Sequence, residues 1–270
     1  MRGTSAASLD AVRAGFEPVL RAAGVAASEL GGQLYQVVDL LTGSGSLRRA
    51  LADPSRSGED KATLARTVLA SADPRVAAVV AEFARGRWSS EEDLVDGVEE
   101  VACDAVLASA QAAGTLEQVE DELFRFDRTL VGERELRRAL IDRQASPGQR
   151  AALARRVLET RAQPQTTQLV ERAAFGPRGR TMSRMLGRMG RLSARRRELL
   201  VASVTAATEL SASQAERLSA VLMRTYGRPV QLAVAVDPHV IGGMRVKVGA
   251  QVVDSTVLSR LDEVRRRLAG

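Results

Sequence analysis

Apolar positions recur with the same spacing in two separate stretches of the chain. Residues 47–69 read LRRALADPSRSGEDKATLARTVL and residues 136–158 read LRRALIDRQASPGQRAALARRVL, with 13 of 23 positions identical in a gapless pairing. In each stretch a short LRRAL helix ends at an aspartate, Asp53 or Asp142, and a turn follows. A second helix then carries its buried stripe on Leu64 and Val68, or on Leu153 and Val157. Its start is signalled by Ser146, with Pro147 at the first helical position and Gln149 placed to complete a capping box; Ser57 with Asp60 is the weaker equivalent. The repeat extends upstream, where Leu34, Tyr35, Val37 and Leu41 pair with Leu123, Phe124, Phe126 and Leu130, and downstream, where ARGRW at 84–88 faces PRGRT at 177–181. Two copies predict a duplicated globular unit, since a solenoid needs at least three. The expected organisation is one helical bundle over 1–97 and a second over 98–197.

The pattern then changes. Residues 198–206 are rich in Val and Thr and predict a strand; Ser211 and Gln214 form a capping box opening a helix through Leu218, Leu222 and Tyr226; residues 230–236 predict a second strand between Pro229 and Pro238. Met244, Val246 and Val248 alternate with Arg245 and Lys247, the signature of a half-buried strand. Gly249-Ala250 suits a type II′ turn, and Val252 and Val253 return from it. Gly242 and Gly243 permit a tight or φ-positive lead into this hairpin. Asp254 is placed to cap a terminal helix that would bury Val257, Leu258, Leu261, Val264 and Leu268 and expose Arg260, Arg265, Arg266 and Arg267. The fold expected is therefore mainly α, with two tandem helical bundles followed by a small α+β module over 198–270.

Composition agrees with helices packed through small aliphatic side chains: 45% of residues are hydrophobic but only 3% aromatic. The net charge of +6 is carried almost wholly by arginine, Lys61 and Lys247 being the only lysines, and permits acidic partners without requiring them. Cys103 is the single cysteine, so no intramolecular disulfide forms, and its setting among Ala and Val reads as a small buried hydrophobe. Asp10 and Glu17 interrupt what would otherwise be an apolar signal core. No run approaches the roughly 18 apolar residues of a membrane span.

Catalytic chemistry finds little support. The only histidine, His239, sits beside Pro238, so neither a histidine cluster for zinc nor a histidine-containing triad is available. Gly43-Ser44-Gly45 and Gly242-Gly243 read as turns, because neither belongs to a phosphate loop or a dinucleotide fingerprint. No catalytic, cofactor or metal residue is expected. One segment invites a different reading. In TMSRMLGRMGRLSARRRELL, residues 181–200, Met182, Met185, Leu186, Met189 and Leu192 line one helical face while Arg184, Arg188, Arg191, Arg195, Arg196 and Arg197 crowd the rest. The bland expectation is a packed Met face and a solvated Arg face; the alternative is an adaptor that grips nucleic-acid phosphates or anionic lipid. No aromatic platform accompanies the arginines, so no specific nucleic acid is expected.

The hairpin and terminal helix, IGGMRVKVGAQVVDSTVLSRL, with the Gly242-Gly243 pair and the V-x-D-S-x-x-x-x-x-L run from Val252 to Leu261, resemble the C-terminal signature of the δ subunit of F-type ATP synthase, the oligomycin-sensitivity-conferring protein of mitochondria. From about residue 99 onward the chain is similar to a whole ordinary δ subunit, and the preceding segment looks like a second δ-type bundle, as in long actinobacterial forms. The resemblance implies a non-catalytic stator subunit. Its helical part would hold amino-terminal segments of the α subunits and its C-terminal module the carboxy-terminal region of b, at the cytoplasmic face of a bacterial membrane and attached only through the complex. It further marks Gly242, Gly243, Asp254 and Leu261 as structural motif positions.

Overall fold

The computed structural model describes residues 3–142, 144–159, 161–176, 178–198, 200–226, 230–237, 240, 243–248 and 251–254. The chain divides into two compact units, residues 1–196 and 197–270. The first contains α1 (Thr4–Ala23), α2 (Ala27–Gly43), α3 (Gly45–Ala52), α4 (Gly58–Val68), α5 (Pro74–Arg85), α6 (Glu91–Ala112), α7 (Leu116–Gly132), α8 (Arg134–Leu140), α9 (Pro147–Leu158), α10 (Pro164–Phe175) and nearly all of α11 (Met182–Glu198), with a single 3-10 turn at Gly24–Ala26.

The repeat is visible in how the two copies satisfy the backbone groups that helix ends leave unpaired. Arg48 Nη1 donates to Leu41 O at 2.9 Å and Thr42 O at 3.2 Å, closing the end of α2. Arg137 Nη1 does the same for α7 at Leu130 O (3.2 Å) and Val131 O (3.5 Å). Lys61 Nζ donates to Gly86 O beyond α5 at 3.3 Å, while Arg150, at the matching position, donates to Ala174 O and Phe175 O, both at 3.0 Å, at the end of α10. The N–H just before each helix-opening proline is also answered alike: Asp73 N by Gln33 Oε1 at 3.0 Å and Gln163 N by Glu122 Oε2 at 2.9 Å. The capping box at Ser146 forms, with Gln149 N donating to Ser146 Oγ at 3.2 Å and Ser146 N to Gln149 Oε1 at 2.8 Å.

One expectation is corrected. The boundary placed at 97/98 falls inside α6, a single continuous helix whose Val95, Val98, Val101, Ala102, Ala105, Val106, Leu107 and Ala110 are no more than 1% exposed. A helix buried on nearly every side belongs in the middle of a body. Its two ends show why. Ser90 caps its start by accepting from Asp93 N, as Thr181 caps α11 by accepting from Arg184 N, so α6 closes the first copy as α11 closes the second. Gly114 at φ 74° follows it, as Gly24 at φ 57° follows α1, so α6 also opens the second copy. The copies share this helix and one contiguous core running from Leu9 to Leu192. Gly97 lets the shared helix press on its neighbours, since a Cβ there would stand 3.0 Å from Phe83 Cε1 and 3.1 Å from Trp88.

The second unit holds β1 (Leu200–Ala206), α12 (Ala212–Tyr226), β2 (Val230–Val236), β3 (Met244–Val248) and β4 (Gln251–Asp254) in a sheet of order β2-β1-β3-β4. β1 and β2 run parallel, with α12 as their connection, and the other pairs are antiparallel. The capping box expected at the start of α12 forms between Ser211 and Gln214. Among the described residues, Ala202, Val204, Leu222, Val230 and Val246 form the core of this unit. Val248 pairs with Gln251, while Gly249-Ala250, where the type II′ turn is expected, lie outside the described residues.

A chain truncated after Arg196 is expected to unfold in urea as one cooperative transition, because both copies share α6. A fragment ending at residue 97 cuts that helix and exposes its apolar sides; it is expected to show no cooperative transition by circular dichroism.

Candidate interaction surfaces

A groove of about 780 Å³ lies between α1 and α5. Val12, Phe16 and Val19 form one wall and Ala78 and Val79 the other, with Arg75, Glu82 and Arg85 among the polar lining residues. The groove follows from sequence: α5 begins at Pro74 under an Asp73 cap, its Oδ1 accepting from Arg75 N at 2.8 Å, and this fixes where Ala78 and Val79 project. The charged lining is satisfied locally. Arg75 pairs with Asp73 at 2.7 Å, and Arg85 pairs with Glu59 at 2.8 Å and with Glu82. What remains open is an apolar trough between two helices, the shape that accepts a third amphipathic helix.

The arginine-rich helix behaves differently from expectation on one of its two faces. Met182, Met185, Leu186, Met189 and Leu192 are buried, as the periodicity requires. The arginines, however, are not simply solvated. Asp96, Glu99, Glu100 and Asp104 of α6 meet Arg178 and Arg180 of the preceding turn and Arg188 and Arg195 of α11. Arg188 Nη2 lies 2.5 Å from Glu100, Arg180 Nη1 lies 2.6 Å from Glu99, and Arg13 of α1 joins from the other side at 2.9 Å from Asp104. Arg196 is 4% exposed and donates to both carboxylate oxygens of Glu17 at 2.9 Å. Arg184 and Arg191 do remain exposed. The expectation failed because a carboxylate ladder on α6 is polar by composition yet buried by position. Its spacing along one helix edge was the signal available in sequence.

Burial and pairing pull these acids in opposite directions. Burial opposes ionisation of Glu100, yet Arg13 and Arg188 hold its carboxyl below the ordinary glutamate value. For Asp104 burial wins over Arg13, Arg196 and Arg195, and its carboxyl is raised. Cys103 faces the same interior, where burial pushes its thiol up and leaves it inert. Among the described residues no cluster of three or more His, Cys, Asp or Glu is arranged to hold a metal ion.

In the second unit, Val221 (47%) and Met223 (48%) of α12 and Val234 (42%) and Val236 (48%) of β2 are exposed, and β2 is an edge strand. A small core beside open apolar side chains marks a surface that a partner can cover. Of the four motif positions, Gly243 is found at φ 77°, a conformation that favours glycine. Asp254 ends β4. Gly242 and Leu261, like His239 and the helix expected after Asp254, lie outside the described residues.

An apolar groove, paired charges and exposed apolar side chains are thus the main surface features of the described residues. The chain belongs to the ATP synthase delta (OSCP) subunit family, whose profile matches residues 103–268. Relatives extend the likeness over the full length. It is 48% identical to the ATP synthase subunit delta of Beutenbergia cavernae, covering 100% of both chains, and 46% identical to that of Kineococcus radiotolerans, covering 99% of this chain and 98% of that one. Identity to the subunit of Streptomyces griseus is 42%, again over 100% of both. The family profile begins inside α6, so the first copy lies before it, and these three relatives span that region too.

Two expectations follow for the buried charges. Arg196→Ala removes the bidentate partner of Glu17 and leaves it only Arg21, 3.2 Å away, and should lower stability by about 3 kcal/mol, whereas replacing Glu17 and Arg196 together by Met should recover most of it; urea denaturation reads both. Glu100 has a folded pKa below its unfolded one, so its contribution is complete above the ordinary value of 4.5 and is lost as pH falls through the depressed value. Glu100→Gln should therefore lower the urea midpoint at neutral pH and flatten its fall on acidification, and an unchanged acid slope would refute the assignment.

Proposed function

We propose that this chain is a peripheral-stalk subunit of a proton-translocating F-type ATP synthase, joining the α/β catalytic head to the b subunit and resisting the torque of rotation. The observation that carries this reading is the open apolar groove between α1 and α5 in a chain of the delta (OSCP) family. The groove suits the amino-terminal segment of an α subunit presented as an amphipathic helix. The exposed valines and Met223 of the second unit suit the carboxy-terminal region of b. A stator needs two attachments on one chain, because a single contact cannot oppose a turning moment, and the division into two compact units supplies one for each partner.

Rotation of the central shaft exerts a reaction torque on the head. The subunit performs no chemical step in this reading: it binds no nucleotide or metal and transmits load through α6 and its arginine partners. In this reading the subunit sits at the cytoplasmic face of the bacterial membrane and is attached through the complex; no described helix is long and apolar enough to cross a membrane. The rival reading, an adaptor for nucleic acid or lipid, depended on free arginines on α11; pairing of Arg188, Arg195 and Arg196 with acids of the same unit removes most of that support.

Gly243→Val places a β-branched residue at φ 77° and should cost the small second unit about 1–3 kcal/mol. On washed membranes the expected outcome is weaker retention of the catalytic head and leakage of protons, with ATP hydrolysis by the released head intact. Retention equal to that of the unaltered chain would reject this role for Gly243, and loss of hydrolysis in the released head would contradict a non-catalytic subunit.

A further inference from the structure

The repeat equates two grooves, and the fold treats them differently. Gly24 and Gly114, both at positive φ, end α1 and α6, and Pro74 and Pro164 open α5 and α10. That register sets Val12 and Phe16 of the open groove opposite Ala102 and Val106, and Ala78 and Glu82 opposite Gln168 and Arg172. All four counterpart positions are covered by α2. Gly31 approaches so closely that a Cβ would stand 2.7 Å from Val106 Cγ2 and 2.9 Å from Ala102 O. Gln168 Nε2 donates to Ser28 O at 3.0 Å. Arg172 donates to Asp39 Oδ1 at 2.7 Å, and its guanidinium lies 4.8 Å over the ring of Tyr35.

We propose that α2 is a built-in ligand that closes the groove of the second copy, so that the chain accepts one partner helix, between α1 and α5, rather than two. α2 is held there by a contact that tolerates no side chain at Gly31, by a buried arginine and by the shared core, none of which a transient partner would displace. It also serves as a template for the occupant of the open groove. The duplication has thus spent one docking site on joining the copies and kept the other. The identity of the partner rests on the stator reading above, which makes it the amino-terminal segment of α; the closed state of the second groove does not.

Calorimetric titration of the full-length chain with a synthetic peptide of the α amino-terminal segment tests this. One equivalent is expected to bind. Ala11→Glu with Ala78→Glu, both at exposed positions lining the open groove, should weaken binding on the order of tenfold or more by placing unpaired charge against the apolar helix face. Gln168→Ala, in the closed groove, should leave it unchanged. Binding of two equivalents, or binding insensitive to the double variant, would overturn the inference while leaving the stator reading in place. Absence of any binding would count against α as the partner, and hydrogen exchange then decides the inference alone: amides of residues 31–39 exchanging as slowly as those of α6 support a built-in ligand, and fast exchange there overturns it.

Discussion

The burial of α6 is the constraint on which the rest of the first unit depends. Its small apolar side chains allow close approach on several sides at once, with Gly31 of α2 resting on Ala102 and Val106 and Gly97 set against Phe83 and Trp88. Its remaining edge carries four carboxylates that are costly to bury unless answered. Arginines from α1, from α11 and from the turn before α11 answer them. The same helix therefore supplies the apolar centre of the core and the charged seam that positions α11. Hydrophobic burial provides most of the energy; the ion pairs chiefly forbid other arrangements, since any slip of α11 along α6 would leave buried charge uncompensated.

Sharing α6 changes what a duplication means for this molecule. Two independent bundles would rotate about a linker and present two equal grooves. A common helix leaves no linker, and the two copies become one piece. Rigidity of this kind suits a subunit whose proposed task is to hold against torque, because a hinge between copies would absorb the displacement that a stator must resist. The asymmetry of the grooves follows from the same fusion: the side chains that join the copies are those that would otherwise have met a partner.

Among the described residues of the second unit the core is formed by Ala202, Val204, Leu222, Val230 and Val246, and valines on α12 and on the edge strand β2 are exposed. Such a unit gains stability by being covered, and partner binding adds to the folded state by mass action. The first unit differs in having a contiguous core and a buried seam of paired charges between α6 and α11.

Sequence alone determined everything that depends on local periodicity and on pairing of like with like. The capping boxes at Ser146 and Ser211, the Met face of α11, the alternation through Val246 and the duplicated helices all follow from interactions within a few residues, which the order of side chains specifies directly. It also placed the chain in its family, through the hairpin motif around Gly243. Only the tertiary structure decided that α6 belongs to both copies, that Arg188, Arg195 and Arg196 face acids on another helix, and that α2 covers one groove while the other stays open. These depend on which helix faces lie together across 80 residues or more of chain, as Arg196 does with Glu17 and Arg188 with Glu100. A charged face reads the same in sequence whether water or a buried carboxylate lies opposite it. Packing alone distinguishes them, because the cost of an unpaired charge arises only once the solvent has been excluded.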